Sequence, residues 1–314
     1  MMKGIIDICK LIRLPYLFVA AFLAFATRIL IISPILAINN HSVQLPLSMF
    51  GILCFSIILL IAAGYIINDY FDTRDDRLTR PDDTIVGRSI TRRSAIKLHT
   101  ILNIVAIVLA IYVSYSISYI KLATFFALAS GLLWFYSTSY KRYLILGKIV
   151  ISAMIAFIPI VVLLYEIPLL NSTYSEFMRV TGVGFTYLLD WVGFFSILIF
   201  FSSLIINLTK DLIKKNILGE EETKLKVRIC IAISYIALIL AMLFLSIKIF
   251  NVAIFAKYYL IILILLPSVY SLYKLLAKPD LKALKMNYNL SKLICIAVML
   301  FCLFIPYIFK NNLI

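Results

Sequence analysis

Apolar residues run in long, nearly unbroken blocks along this chain, and polar residues collect in short stretches between them. About 20 consecutive apolar residues are what a helix needs to cross the hydrocarbon of a bilayer. The blocks predict nine spanning helices, over residues 14–37, 47–68, 95–117, 119–138, 148–168, 186–207, 227–248, 254–275 and 290–309. No polar block or linker separates a soluble domain from them. The expected fold is an all-α integral membrane bundle, with residues 1–314 forming one membrane domain.

Composition sharpens this reading. The chain is 63% hydrophobic with a mean hydropathy of +1.05, against roughly 45–50% apolar content in soluble domains. A net charge of +15 would ordinarily suggest nucleic acid. Here the basic residues lie in short loops between apolar runs, the pattern that marks cytoplasmic loops of membrane proteins. With the N-terminus inside, the inside segments are the N-terminal tail, 69–97, 139–148, 208–228 and 274–292. They hold 24 of the 30 Lys and Arg residues. The other six are Arg28, Lys121, Arg179, Lys248, Lys257 and Lys310. The split predicts a multi-pass protein of a bacterial inner membrane with the N-terminus inside. Its surroundings are membrane lipid, and nucleic acid is excluded as a partner.

Lys3, Lys10 and Arg13 precede an apolar run, and Ala24-Phe25-Ala26 resembles a signal-peptide cleavage site. Apolar character resumes through Ile38, too long for an ordinary signal segment, so a retained first helix is expected. Residues 169–185 form the expected main outside loop, where the sequon Asn171-Ser172-Thr173 reads as a chance match. Cysteines 9, 54, 230, 295 and 302 show no metal-ligand spacing and read as small hydrophobes. His41 and His99 are isolated.

Carboxylates are distributed unevenly. Ten of the fifteen fall in two inside segments, as Asp69, Asp72, Asp75, Asp76, Asp82 and Asp83, then Asp211, Glu220, Glu221 and Glu222. These segments follow the second and sixth helices, a spacing that suggests two related four-helix halves plus one extra helix. The first opens Asn68-Asp69-Tyr70-Phe71-Asp72-Thr73-Arg74-Asp75-Asp76. At a helical 100° per residue, Asn68, Asp69, Asp72 and Asp76 fall within roughly a 100° arc. Acids at the end of a spanning helix are costly unless compensated. Hard oxygen ligands on one face at the membrane surface suit Mg²⁺ and a diphosphate. Arg77, Arg80, Arg88, Arg92 and Arg93 follow closely and can neutralise phosphate charge.

Asn68-Asp69-x-x-Asp72-x-x-x-Asp76, then Arg77, Arg80-Pro81 and Gly87-Arg88, resembles the first Asp-rich motif of the UbiA-type intramembrane prenyltransferases. Tyr136-Ser137-Thr138-Ser139-Tyr140-Lys141-Arg142, followed by Gly147, is similar to the family segment after the fourth helix. The resemblance implies a helical bundle around a central cavity open toward the membrane. It implies a Mg²⁺-dependent enzyme that ionises an isoprenyl diphosphate and transfers the prenyl group to an aromatic or lipid-type hydrophobic acceptor. Asn68, Asp69, Asp72 and Asp76 would hold Mg²⁺ and diphosphate, with Arg88 and Lys141 as diphosphate contacts.

The second motif of that family begins Arg-Glu and carries several acids at helical spacing. The matching segment here reads Asn207-Leu208-Thr209-Lys210-Asp211-Leu212-Ile213-Lys214-Lys215. Asp211 is its one acid. It is the expected metal ligand of this half, with Lys210, Lys214 or Lys215 supplying charge to the diphosphate. Glu220, Glu221 and Glu222 lie beyond Gly219, the expected helix end. Lys148 follows Gly147 where the family usually has Asn. These departures keep a second reading open, a homologue that binds prenyl diphosphate or lipid without normal turnover. A transporter is a third. It would place ionisable residues along a path through the helices, but such candidates are few, Arg28, Glu166 and Asp190, the last two near predicted helix ends.

Overall fold

Lipid offers backbone N–H and C=O groups no partner, so each crossing must satisfy them within a helix. The computed structural model describes residues 2–79, 84–218, 221–248, 254–277 and 280–311. Side chains are described for 6–74, 77, 84–217, 224–247, 254–277 and 280–310. The described residues are helical apart from short links and one isolated bridge between Val86 and Ile90. Among the described residues, nine helices are long and apolar enough to span, as the sequence predicts.

The helices are α1, Met2–Leu11; α2, Leu14–Ala37; α3, Leu47–Thr79; α4, Arg92–Ser116; α5, Thr124–Thr138; and α6, Leu146–Thr173. There follow α7, Ser175–Thr181; α8, Tyr187–Leu218; α9, Glu221–Lys248; α10, Ile254–Leu276; and α11, Leu281–Lys310. Several run past the predicted ends. Residues 69–79 are not loop but the last three turns of α3, and α8 continues from 207 to Leu218. A helix needs apolar side chains only within the hydrocarbon, and its backbone bonds continue wherever nothing breaks them. The expected outside loop at 169–185 likewise contains the end of α6 and all of α7.

The chain divides into two compact units. The first comprises residues 1–24, 44–143 and 164–185. Here α3 packs against α4 and α5. Gly64 permits the close approach to α5, since a Cβ there would lie 3.0 Å from a methyl of Leu133. Buried polar groups join the helices: Ser56 Oγ donates to the Ala106 carbonyl at 2.6 Å, and His99 Nδ1 donates to the Ala63 carbonyl at 2.9 Å. Glu166 is 1% exposed. Its carboxylate accepts from the backbone N–H of Gln44 and, at 3.1 Å, of Leu45.

The second unit comprises residues 25–43, 144–163 and 186–314. Its α8 packs against α9 and α11. The Tyr235 hydroxyl of α9 bonds Asn287 Oδ1 and Ser291 Oγ of α11, both at 2.9 Å, and Asn287 Nδ2 reaches the Ser271 carbonyl of α10. Two spans widen into a π-helical turn, at Thr27–Ile32 and Leu260–Leu265. Each is followed two residues later by a proline, Pro34 or Pro267. Proline lacks an N–H and crowds the carbonyl four residues back, and a π turn relieves both conflicts. Arg28 is buried in the first of these turns.

Candidate active site

The first acidic segment takes its position from the packing beneath it. Leu11, Ile66, Val86 and Ala95 form a small core, flanked by Ile12, Tyr70, Ile85 and Leu98. Burial of these side chains holds the end of α1, the 84–91 link and the start of α4 against α3. Gly87, at φ +86°, turns that link in the left-handed region, and Arg77 donates to its carbonyl at 2.6 Å.

On α3, Asn68, Asp69 and Asp72 are all partly buried. Each acid carries a basic partner. Lys141, in the turn between α5 and α6, donates its ammonium to Asn68 Oδ1 at 3.0 Å and to the Asp72 carboxylate. Asn68 Nδ2 donates to the same carboxylate at 3.1 Å. The amide is therefore oriented with its oxygen toward the positive charge. Arg13 reaches Asp69 Oδ1 at 2.9 Å, with its guanidinium 4.8 Å from the Tyr65 ring centre. The side chain of Asp76 lies outside the described residues, although its backbone continues the same helix. Arg88 is exposed on the 87–89 turn.

Arg13 is the site residue that sequence reasoning missed, counted only as one of the tail charges. It breaks the chain between α1 and α2 at φ +52°. A non-glycine residue in this region costs roughly 1–2 kcal/mol. A basic residue at the mouth of the first span, beside Pro15 and Tyr16, was the available signal.

The second acidic segment is built differently. Two rungs join α6 to α8: Asn207 Nδ2 donates to Ser152 Oγ at 3.2 Å, and Lys148 Nζ lies 3.7 Å from Asp211 Oδ1. Each helix steps four residues between rungs, in opposite directions, so the helices are antiparallel here and the register is set twice. Asp211 and Lys148 are mostly shielded, at 18% and 23% exposure. Lys210 and Lys214 are exposed on α8. Gly219 and the side chains of Glu220, Glu221 and Glu222 lie outside the described residues.

The two segments differ in their fit to a divalent ion. No group of three or more His, Cys, Asp or Glu side chains gathers among the described residues. In the first segment, the oxygens of Asn68 and Asp72 already converge on one positive charge, the Lys141 ammonium. That hard-oxygen set suits Mg²⁺, which takes one or two carboxylates plus phosphate oxygens and water. In the second, Asp211 faces the Lys148 ammonium at 3.7 Å, and no further carboxylate gathers beside it among the described residues.

The sequence pattern of the UbiA prenyltransferase family matches residues 29–293. No curated protein matches in direct sequence comparison. Two solved structures share the fold. A structure of digeranylgeranylglyceryl phosphate synthase superimposes with a TM-score of 0.67 at 16% identity, covering 96% of this chain and 99% of its own. A UbiA homologue from Aeropyrum pernix K1 gives a TM-score of 0.56 at 11% identity, covering 92% and 94%.

Proposed function

Because the chain belongs to the UbiA prenyltransferase family, we propose that it transfers an isoprenyl group from a prenyl diphosphate to a hydrophobic aromatic or lipid-type acceptor. The observation that carries this reading is the Asn68–Asp72–Lys141 cluster at the end of α3. Cleaving the allylic C–O bond sends its electron pair to the diphosphate and leaves positive charge on the prenyl carbon. The acceptor supplies the pair for the new bond and gives up its proton to the released diphosphate or to water. Asn68 Oδ1 and the Asp72 carboxylate, with Asp69 and Asp76 on the same helix face, would hold Mg²⁺, which would supply positive charge to the departing diphosphate. Lys141 already bonds both of these oxygen ligands and serves as a point-charge partner for the departing diphosphate. Arg13, whose guanidinium lies over the Tyr65 ring, pairs with Asp69, fixing the carboxylate before substrate arrives. Arg88 is a further diphosphate contact, on the motif resemblance.

A second reading has its own observation. Lys148 against Asp211 favours a homologue that binds prenyl diphosphate or lipid without turning it over. One experiment separates the two: purified protein is incubated with Mg²⁺ and a panel of isoprenyl diphosphates and acceptors, and lipids are analysed by mass spectrometry. A prenylated product with release of diphosphate, lost in Asp72→Asn, is expected. Saturable binding without product would establish the second reading, and no binding at all would overturn both.

A further inference from the structure

A cleft of about 340 Å³ opens on unit 1, lined by Thr73, Arg74, Arg77 and Arg92. It is separate from the acid cluster. Taking Asn68 as the origin of a helical wheel, Asn68, Asp69 and Asp72 point within about 100° of one another, whereas Thr73, Arg74 and Arg77 centre roughly 140° away. The described lining holds three guanidinium groups and no carboxylate. Two of the three are fixed. Arg77 bonds the Gly87 carbonyl, and Arg92 stacks 4.5 Å from the centre of the Tyr70 ring. Each has N–H groups left over, since guanidinium offers five. Arg92 also begins α4, whose N-terminus is capped by Thr91 accepting from Ser94 N–H. The depth of the cleft is set by α3. Its apolar run ends at Ile67, so Thr73, Arg74 and Arg77 lie roughly 9–15 Å farther along the axis, with side chains leaning back toward the apolar end, and Phe71, one turn before the cleft, is exposed.

We infer that this cleft binds the phosphate of an anionic membrane phospholipid. Guanidinium groups pair with phosphate oxygens in bidentate fashion. Basic pockets between spanning helices on the cytoplasmic side take acidic lipid head groups. A lipid is favoured over a soluble phosphate because the arginine side chains lean back toward the end of the apolar run, where Phe71 is partly exposed beside Trp134. The prenyl diphosphate reading gives Arg74 no role; Arg77 and Arg92, two of the arginines that follow the acids in sequence, are held here by the Gly87 carbonyl and the Tyr70 ring.

The test is native mass spectrometry of the full chain, released from detergent after equilibration with phosphatidylglycerol or phosphatidylcholine. Arg74→Gln, Arg74→Gln/Arg92→Gln and a remote control, Lys282→Gln/Lys285→Gln, are compared with the parent. Selective retention of phosphatidylglycerol by the parent and the control is expected. Retention should fall roughly tenfold or more in the Arg74/Arg92 variant, with intermediate loss in Arg74→Gln, whose side chain makes no anchoring contact among the described residues. Equal retention by the parent and the Arg74/Arg92 variant, or equal loss in the control, would overturn the inference. Full displacement by millimolar inorganic phosphate would do the same, by identifying a soluble phosphate site instead.

Discussion

At the scale of residues, charge and backbone strain meet at Arg13. Its φ of +52° is easy for glycine and costs alanine roughly 1–2 kcal/mol. Its guanidinium holds Asp69. Arg13→Gly should therefore melt higher than Arg13→Ala in detergent, while the two lose prenyl diphosphate affinity equally. A thermal melt and a binding titration on both variants check this. Equal melting temperatures would show that the backbone there is not strained. Lys148 gives a second test. Mn²⁺ counted by EPR with a non-hydrolysable prenyl diphosphate should be near one per chain and unchanged in Asp211→Asn. Lys148→Asn removes the competing ammonium, adds an amide oxygen and should raise the count toward two. A drop in the count for Asp211→Asn would restore Asp211 as a metal ligand.

Among elements, the polar anchors of unit 1 predict more than its apolar contacts. Glu166→Ala strands the N–H groups of Gln44 and Leu45, which should cost about 1–3 kcal/mol for each buried group. Glu166→Gln keeps an accepting oxygen and should cost clearly less. Unfolding of both variants in detergent, followed by circular dichroism, gives the comparison. The number of helices was readable in the sequence because lipid tolerates no break in an apolar run. Where they end was not, because the polar turns at 69–79 and 208–218 remain helical. The prolines at 34 and 267 were visible, yet the π turns before them depend on backbone geometry that no residue pattern states. In the candidate site, the local part was legible: Asn68, Asp69 and Asp72 are neighbours on one helix. Arg13 on Asp69 and Lys148 on Asp211 are not local. They join residues 56 and about 60 positions apart, and only packing decides such partners.

For the whole molecule, the charge distribution makes an orientation testable. With the N-terminus in the cytoplasm, cysteines introduced at Ser89 and Leu225 in a cysteine-free background should resist a membrane-impermeant thiol reagent in intact cells. A cysteine at Val183, an exposed residue after α7, should be labelled. Labelling at Ser89 with protection at Val183 would invert the topology. Labelling of Ser89 and Leu225 from opposite sides would undo the helix count as well.

Asp69, Asp72, Asp75 and Asp76 belong to one continuous helix of 33 residues. Their cations leave the chain where helices are interrupted, Arg13 between α1 and α2 and Lys141 in the turn Tyr140–Arg142. The consequence concerns time. Side-chain and local-turn rearrangements take nanoseconds to microseconds, while enzymes commonly turn over at about 1–10³ per second. On the proposed function, departure of diphosphate would let Asp69 and Asp72 recover their own counter-ions thousands of times faster than a catalytic cycle, and resetting the charges would leave no mark on the rate.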